Sequence, residues 1–442
     1  MDTIDRHADP DIPPELLDRI FQYCEHYESH PLFEQAYLPE YKLHPLLLVC
    51  KKWHGVAERR LYSSISLGDS RTTRDRNGEL REITGDHVCK LFLRTIENNA
   101  RIASAVRELR ICNPPFDGDE SKARIRIINI CKGVEKIEFI GYNRDTAFWE
   151  NLKATLANTD LLSLDLTCKL HDAVLSPRDI SGLLASDVMD LLPNWPRIQS
   201  VKAKVGNLFN DYYYPFKTLS TQNSCPALRT ISISDDTLNG EQLLYLADIA
   251  PVLEEIDLAV RIDSAAALSK CLEIWSFSLK RLFVRTPFYR DKTIPEGQCP
   301  VIRSPVVELR ELSMPSPLLN TDALSLTPKL KILRFDKGDV SEGKKLIRRI
   351  ERQELPCLQE LDVDLLDDIT RNRNSSGEEN RRTKKEIAKE LRRVCVEHNI
   401  AFTESFSAFE ELEGDFDRSL ELTEDDWPFS DSDDSTTSDH DL

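Results

Sequence analysis

No apolar run in the sequence approaches the roughly 18 residues that a membrane-spanning helix needs. The opening stretch, MDTIDRHADPDIPPE, is polar and acidic, unlike a secretory signal or an Arg-rich transit peptide. The 11 cysteines are scattered singly and no CxxC pair occurs, which argues against a secreted disulfide scaffold. Reduced thiols and a cytoplasmic or nuclear location, without membrane association, are expected. HExxH, GxSxG, GxGxxG and the kinase catalytic set are all missing. Net positive charge is lacking as well: 58 Lys and Arg stand against 76 Asp and Glu, for a formal net charge of −18. From Glu404 to Leu442 there are 15 acidic residues against one basic, Arg418, so that stretch alone carries −14. The rest is near neutral and shows no basic footprint of the kind that nucleic-acid binding requires.

What the sequence does contain is a repeat. The pattern apolar-x-x-apolar-x-apolar occurs ten times, as VRELRI from Val106, VEKIEF from Val134, LLSLDL from Leu161, IQSVKA from Ile198 and LRTISI from Leu228. It continues with LEEIDL from Leu253, LKRLFV from Leu279, LRELSM from Leu309, LKILRF from Leu330 and LQELDV from Leu358. The copies start 28, 27, 37, 30, 25, 26, 30, 21 and 28 residues apart. The alternation at the end of each copy predicts a short strand with one face inward. Helical stretches fall between several copies, at 148–157, 180–192, 240–250, 265–275 and 343–353. A single strand–helix unit cannot bury its own apolar side, and stacking such units makes one continuous core. The period and motif resemble leucine-rich repeats. That resemblance implies an α/β solenoid with parallel strands on a concave side and helices on the convex side. The family's usual Asn after the strand is mostly absent and the spacing is irregular. Longer excursions are expected near 170–190 and 206–224. The segment 383–399 reads as a closing helix that caps the stack, with 372–382 as a polar loop before it.

A different pattern opens the chain. In IPPELLDRIFQYC (12–24), prolines suit a first helical turn, and Leu16, Leu17, Ile20 and Phe21 form one apolar stripe. LLLVCKKW (46–53) and GVAERRLYSSISL (55–67) follow. Ile12, Pro13, Glu15, Leu16, Leu17, Ile20 and Phe21, then Leu46, Val49, Cys50, Lys51 and Trp53, then Leu61 and Tyr62, together resemble an F-box. Ile12 stands where that family usually has Leu, and residues 25–45 make the connection between helices longer than is typical. The resemblance implies three helices that dock on the Skp-type adaptor of a cullin–RING ubiquitin ligase. Ile12, Pro13, Leu16, Leu17, Ile20, Phe21, Val49, Cys50 and Trp53 would make that contact, and the repeats behind would hold a protein substrate.

The expected organisation is a short N-terminal stretch (1–11), the F-box-like unit (12–62), a linker and solenoid cap (63–105), the repeat domain (106–403) and an acidic, disordered tail (404–442). The expected role is a non-catalytic, cofactor-free substrate adaptor. A protein-interaction scaffold without ligase association is the alternative, with the N-terminal helices serving only as a cap. On the strands, the third and fifth motif positions point away from the core. Phe283, flanked by Arg281 and Arg285, is the aromatic exception among mostly charged fifth positions, and Arg334 belongs to the same row. The run LFNDYYYPF (208–216) is a second candidate surface.

Other motifs have simpler readings. Cys24, His26, His30, Cys50 and His54 cluster, but not in the order of a standard zinc site. GDVSEGKK (338–345) approximates a phosphate-binding loop, with Lys345 where a hydroxyl residue should hold magnesium. RRTKKEIAKELRR (381–393) is basic, as a nuclear import signal is, and also reads as the solvated face of the capping helix. Thr423, Ser430, Thr436 and Ser438 each precede an acidic residue by three positions, a spacing that suits acid-directed kinases.

Overall fold

The computed structural model describes residues 12–23, 43–68, 70–74, 80–113, 118–141, 146–167, 183, 185–204, 223–286, 300–316, 318–336, 340–364 and 376–404. Three helices come first: α1 (Pro14–Gln22), α2 (Leu43–Leu46) and α3 (Lys51–Ser63). Next are β1 (Ser64–Leu67), a hairpin of β2 (Arg71–Arg74) and β3 (Leu80–Ile83), and helices α4 (Gly85–Asn98) and α5 (Ala100–Ala105). Strand and helix then alternate: β4 (Glu108–Asn113), α6 (Gly118–Ile130), β5 (Lys136–Gly141), α7 (Thr146–Leu156), β6 (Ser163–Thr167), α8 (Ala185–Leu191) and β7 (Ser200–Lys204). The series continues through β8 (Thr230–Leu238), α9 (Gly240–Ile249), β9 (Glu255–Val260), α10 (Ala265–Trp275), β10 (Arg281–Arg285) and β11 (Glu311–Pro315). It closes with β12 (Ile332–Asp336), α11 (Val340–Glu351), β13 (Glu360–Val363), α12 (Ser376–Glu397) and β14 (Ala401–Glu404).

Twelve of these strands form one open sheet in the order β1-β4-β5-β6-β7-β8-β9-β10-β11-β12-β13-β14, every pair parallel. The fold is thus α/β, with each strand laid beside the one before it in the chain. The ten motif copies supply ten of the strands. Their apolar first, fourth and sixth positions are all buried, none more than 7% exposed. This is the physical content of the repeat: three apolar side chains per unit enter a core shared with the neighbouring units.

Polar groups join the units too. The Arg107 carbonyl accepts the amides of Glu135 (2.8 Å) and Lys136 (3.0 Å), and the same two-amide arrangement recurs at each junction up to Lys331 with Gln359 and Glu360. The buried Trp195 indole donates to the Leu156 carbonyl (2.9 Å), and Trp275 donates to Ala250 (3.0 Å). Both bonds tie an indole to a carbonyl at the end of the previous unit's helix, where the last carbonyls have no intrahelical partner; Leu156 also accepts from Thr159. Where the motif spacing is shortest, between β11 and β12, a 3-10 helix (Thr321–Leu326) replaces the α-helix.

Three expectations change. The sheet begins before residue 106: Ser64–Leu67, within the presumed linker, pairs in register with Glu108–Ile111. The closing helix starts at Ser376, inside the stretch read as a loop, because SGEENRR continues the helical run. The last unit is more than a helix, since β14 adds a strand to β13. The segments 168–182 and 205–222, which include LFNDYYYPF, and the acidic stretch after Glu404 lie outside the described residues. No helix among the described residues is long and apolar enough to cross a membrane.

Candidate functional site

In the N-terminal unit, Pro14 takes the first helical position of α1, where a missing N–H costs nothing, and Glu15 places a negative charge in the first turn, where the helix dipole favours it. A small core holds the three helices together: Leu17, Phe21, Leu43, Val56 and Ala57 are buried, with Ile12, Leu46, Leu47 and Trp53 packed around them. The Phe21 and Trp53 rings meet edge-on at 5.3 Å. Arg60 Nη1 of α3 pairs with Asp18 Oδ2 of α1 at 2.9 Å, and His54 Nδ1 lies 3.0 Å from the Leu47 carbonyl.

The structure splits the predicted docking set. Leu17 and Phe21 are 0% exposed, because they face α3; they build the unit and are not presented to a partner. Trp53 and Ile12 are half-buried against the same core. Leu16 and Ile20 remain 50% and 48% exposed, and Pro13, Val49 and Cys50 are exposed. Sequence reasoning missed two further apolar groups, Tyr23 and Leu48, the latter 86% exposed. Tyr23 lies three residues beyond Ile20, so Leu16, Ile20 and Tyr23 run down one side of α1. Leu48 and Val49 sit in the turn that leads into α3. A unit this small thus leaves five apolar side chains in water beside a complete core.

The second surface is the sheet face formed by the third and fifth motif positions. The fifth positions align strand by strand, from Ser66 through Arg110, Glu138, Asp165, Lys202, Ser232 and Asp257 to Phe283, Ser313, Arg334 and Asp362. Phe283 and Arg334 do come together: the guanidinium lies 5.7 Å from the ring centroid, reaching across β11 above the buried Ser313. Arg281 and Arg285 do not join them. Arg281 pairs with Glu255 and Arg285 with Asp257 (2.5 Å), both on β9. The hydrogen bond that Arg281 donates to the Glu255 carboxylate holds its guanidinium above the ordinary pKa. The face is therefore charge-compensated around an aromatic–arginine pair. Phe288 and Tyr289 lie outside the described residues.

The phosphate-loop reading fails on geometry. Residues 340–345 are already helical, with Gly343 buried inside α11, so the described part of the motif offers no loop of amides to an anion; Gly338 and Asp339 lie outside the described residues. Glu342 and Lys345 serve the stack. Glu342 Oε2 accepts the Thr321 amide at 2.6 Å, capping the 3-10 helix of the previous unit, and Lys345 Nζ holds the other carboxylate oxygen at 2.7 Å. Burial pushes the Glu342 carboxyl up, but Lys345 and Thr321 outweigh it and leave the pKa below its ordinary value.

The described cysteines are free thiols. Burial pushes Cys131 and Cys271 up to about 12 and Cys225 and Cys395 up to about 11, so these four are packing groups, not nucleophiles. Among the described residues, no group of three or more His, Cys, Asp or Glu is placed to hold a metal ion; Cys24, His26 and His30 lie outside them. No protein-family model and no curated protein sequence matches this chain.

Proposed function

We propose that this protein is the substrate-recruiting adaptor subunit of a Skp–cullin–F-box ubiquitin ligase. The N-terminal unit docks on the Skp-type adaptor, and the repeat sheet, with leucine-rich-repeat character, holds a protein substrate. The observation that carries the reading is the apolar surface left on the three-helix unit: Leu16, Ile20 and Tyr23 on α1, with Leu48 and Val49 beside α3. These side chains stay exposed beside the unit's described core, and a helix face of this kind gains by packing against a partner helix. The motif resemblance of residues 12–62 supplies the identity of that partner.

The chemistry lies elsewhere in such an assembly. Holding a substrate near a charged ubiquitin carrier raises its effective concentration at the transferring cysteine, which belongs to another subunit. On the sheet, Phe283 with Arg334 stacked on it is the anchor best suited to substrate. The pair is partly desolvated and already oriented, which lowers the entropy cost of binding.

The test is binding of the purified adaptor to the full chain and to a Leu16→Asp, Ile20→Asp variant. Both residues are exposed, so the variant keeps the fold and its melting temperature. Micromolar or tighter binding by wild type, lost in the variant, is expected. Absence of wild-type binding would overturn the ligase reading and leave a repeat scaffold with an N-terminal helical cap.

A further inference from the structure

Apolar side chains are rare on the outward side of the repeat strands. Of the twenty third- and fifth-position residues in the ten motif copies, eighteen are polar or charged, and the other two are Phe283 and Ile332. They lie on β10 and β12, on either side of β11, so about 10 Å of sheet separates their strands. Arg334 is two residues along β12 from Ile332 and therefore on the same face. All three side chains are half-buried. Between them β11 carries Ser313, small and buried, and Arg334 reaches over it to bring its guanidinium 5.7 Å from the Phe283 ring centroid.

The cations of this face fall into two groups. Lys136 pairs with Glu108 (2.5 Å), Arg110 with Glu138 (3.5 Å), Arg281 with Glu255 and Arg285 with Asp257 (2.5 Å). Arg334 has no carboxylate partner among the described residues and is held by the ring instead. Stacking occupies a flat face of the guanidinium and leaves the edge, with its fork of N–H donors, open to an acceptor. Lys202, five strands away on β7, is likewise without an ion pair among the described residues, but no described ring orients it.

The acceptor that suits one pre-stacked guanidinium is a carboxylate, which carries a single charge and whose two oxygens match the fork. A phosphate carries close to two charges and is ordinarily met by clustered arginines. Here Arg281 and Arg285 are already neutralised, and Asp362 stands in register beside Arg334 on β13. Strands continue on both sides of β10–β12, so the sheet face runs on past the site in either direction and suits the middle of a chain rather than its terminus.

We infer that the Phe283–Ile332–Arg334 surface binds an extended segment of the recruited protein through an internal Asp or Glu. The carboxylate takes the Arg334 fork while a neighbouring large apolar side chain rests on Phe283 and Ile332. The inference deepens the substrate-binding role proposed for the sheet, and rests on it, by naming an acidic–apolar peptide as the substrate class.

Random peptides displayed on phage and panned against the full chain test it. Enriched peptides are expected to carry Asp or Glu beside a large apolar residue. A labelled synthetic copy of the leading peptide should bind about tenfold or more weakly to an Arg334→Glu variant of unchanged melting temperature, and changing the peptide's own acid to its amide should cost as much on wild type. A peptide with Lys in place of that acid should recover binding to the variant. Lys202→Glu, the same charge change far across the sheet, should move the affinity by no more than about twofold. No enrichment, enrichment without acidic residues, or equal loss in both variants overturns the proposal. Tighter binding when phosphoserine replaces the acid overturns it in favour of a phosphate. Adaptor binding, read on the same variants, should be unchanged, so failure of the docking reading shows as absent adaptor binding and failure of this one as absent peptide selectivity.

Discussion

In the repeat stack, every apolar position of the ten motif copies is buried. In the N-terminal unit, the single stripe of α1 is divided: Leu17 and Phe21 enter the core, while Leu16 and Ile20 stay in water. The stack is self-sufficient because each of the ten motif strands has a strand on either side and shares one apolar core with its neighbours. The three-helix unit rests on a core of five buried residues and meets the stack through α3, which runs directly into β1 and pairs with α5 through Glu58 and Arg101 at 2.6 Å. An apolar surplus on so small a unit has a use only if something else packs against it.

Truncating one core residue in each region puts that contrast to its hardest test. Trp275→Ala removes a fully buried indole and its bond to the previous helix, at a cost of about 3–5 kcal/mol. Because stability in a stack passes from unit to unit, denaturant melts should show the main transition moving. Phe21→Ala should cost a similar amount locally but leave that transition in place, with amide exchange accelerating only across residues 14–63. A shared transition in both variants would mean the two regions fold as one body.

The second effect is smaller and depends on pH. The Glu342 carboxyl has a folded-state pKa below its unfolded value, so its contribution is complete above the unfolded value and is lost as pH falls through the folded one. Glu342→Gln should destabilise the stack by about 1–3 kcal/mol near neutrality. The difference from wild type should shrink below about pH 4.5. A difference that persists into acid would show that shape, not charge, is what the site requires.

The smallest effect sharpens the picture of how stack helices end. Gln353 and Asn399 adopt left-handed backbone (φ 56° and 55°) just after α11 and α12. Bonds from Glu354 to the Arg349 carbonyl (3.0 Å) and from Ile400 to Cys395 (2.8 Å) close the same terminal turn in each. Gln353→Gly relieves the steric cost and should stabilise by up to about 1 kcal/mol. Asn399→Gly should give less, since Asn tolerates this conformation better than Gln.

Ten strands were legible because apolar residues at three fixed positions force one reading. The two outer strands were not. β1 carries Ser64 and Ser66 outward with Tyr62 at the first position, and β14 ends on Glu404 where an apolar sixth position should be, so neither completes the motif. Helix α6 was hidden for a different reason: its apolar residues crowd into RIRIINI, whose local alternation mimics a strand. At the N-terminal surface, periodicity located the stripe of α1 but could not assign its two halves. That assignment depends on where α3 lies, which is a tertiary fact. On the sheet, the Phe283 row was readable from register alone, whereas the capture of Arg281 and Arg285 by Glu255 and Asp257 comes from the neighbouring strand.

The paired amides on the second-position carbonyls from Arg107 to Lys331 have a consequence for how such a chain can change. Register between successive strands is pinned where each strand begins, by backbone atoms that every residue type supplies. Start-to-start spacings that range from 21 to 37 residues therefore leave the alignment of the strand starts untouched. Insertions, deletions and grafted segments can accumulate between strands while the row of outward side chains keeps its spacing, so the binding face and its loops are free to diverge independently.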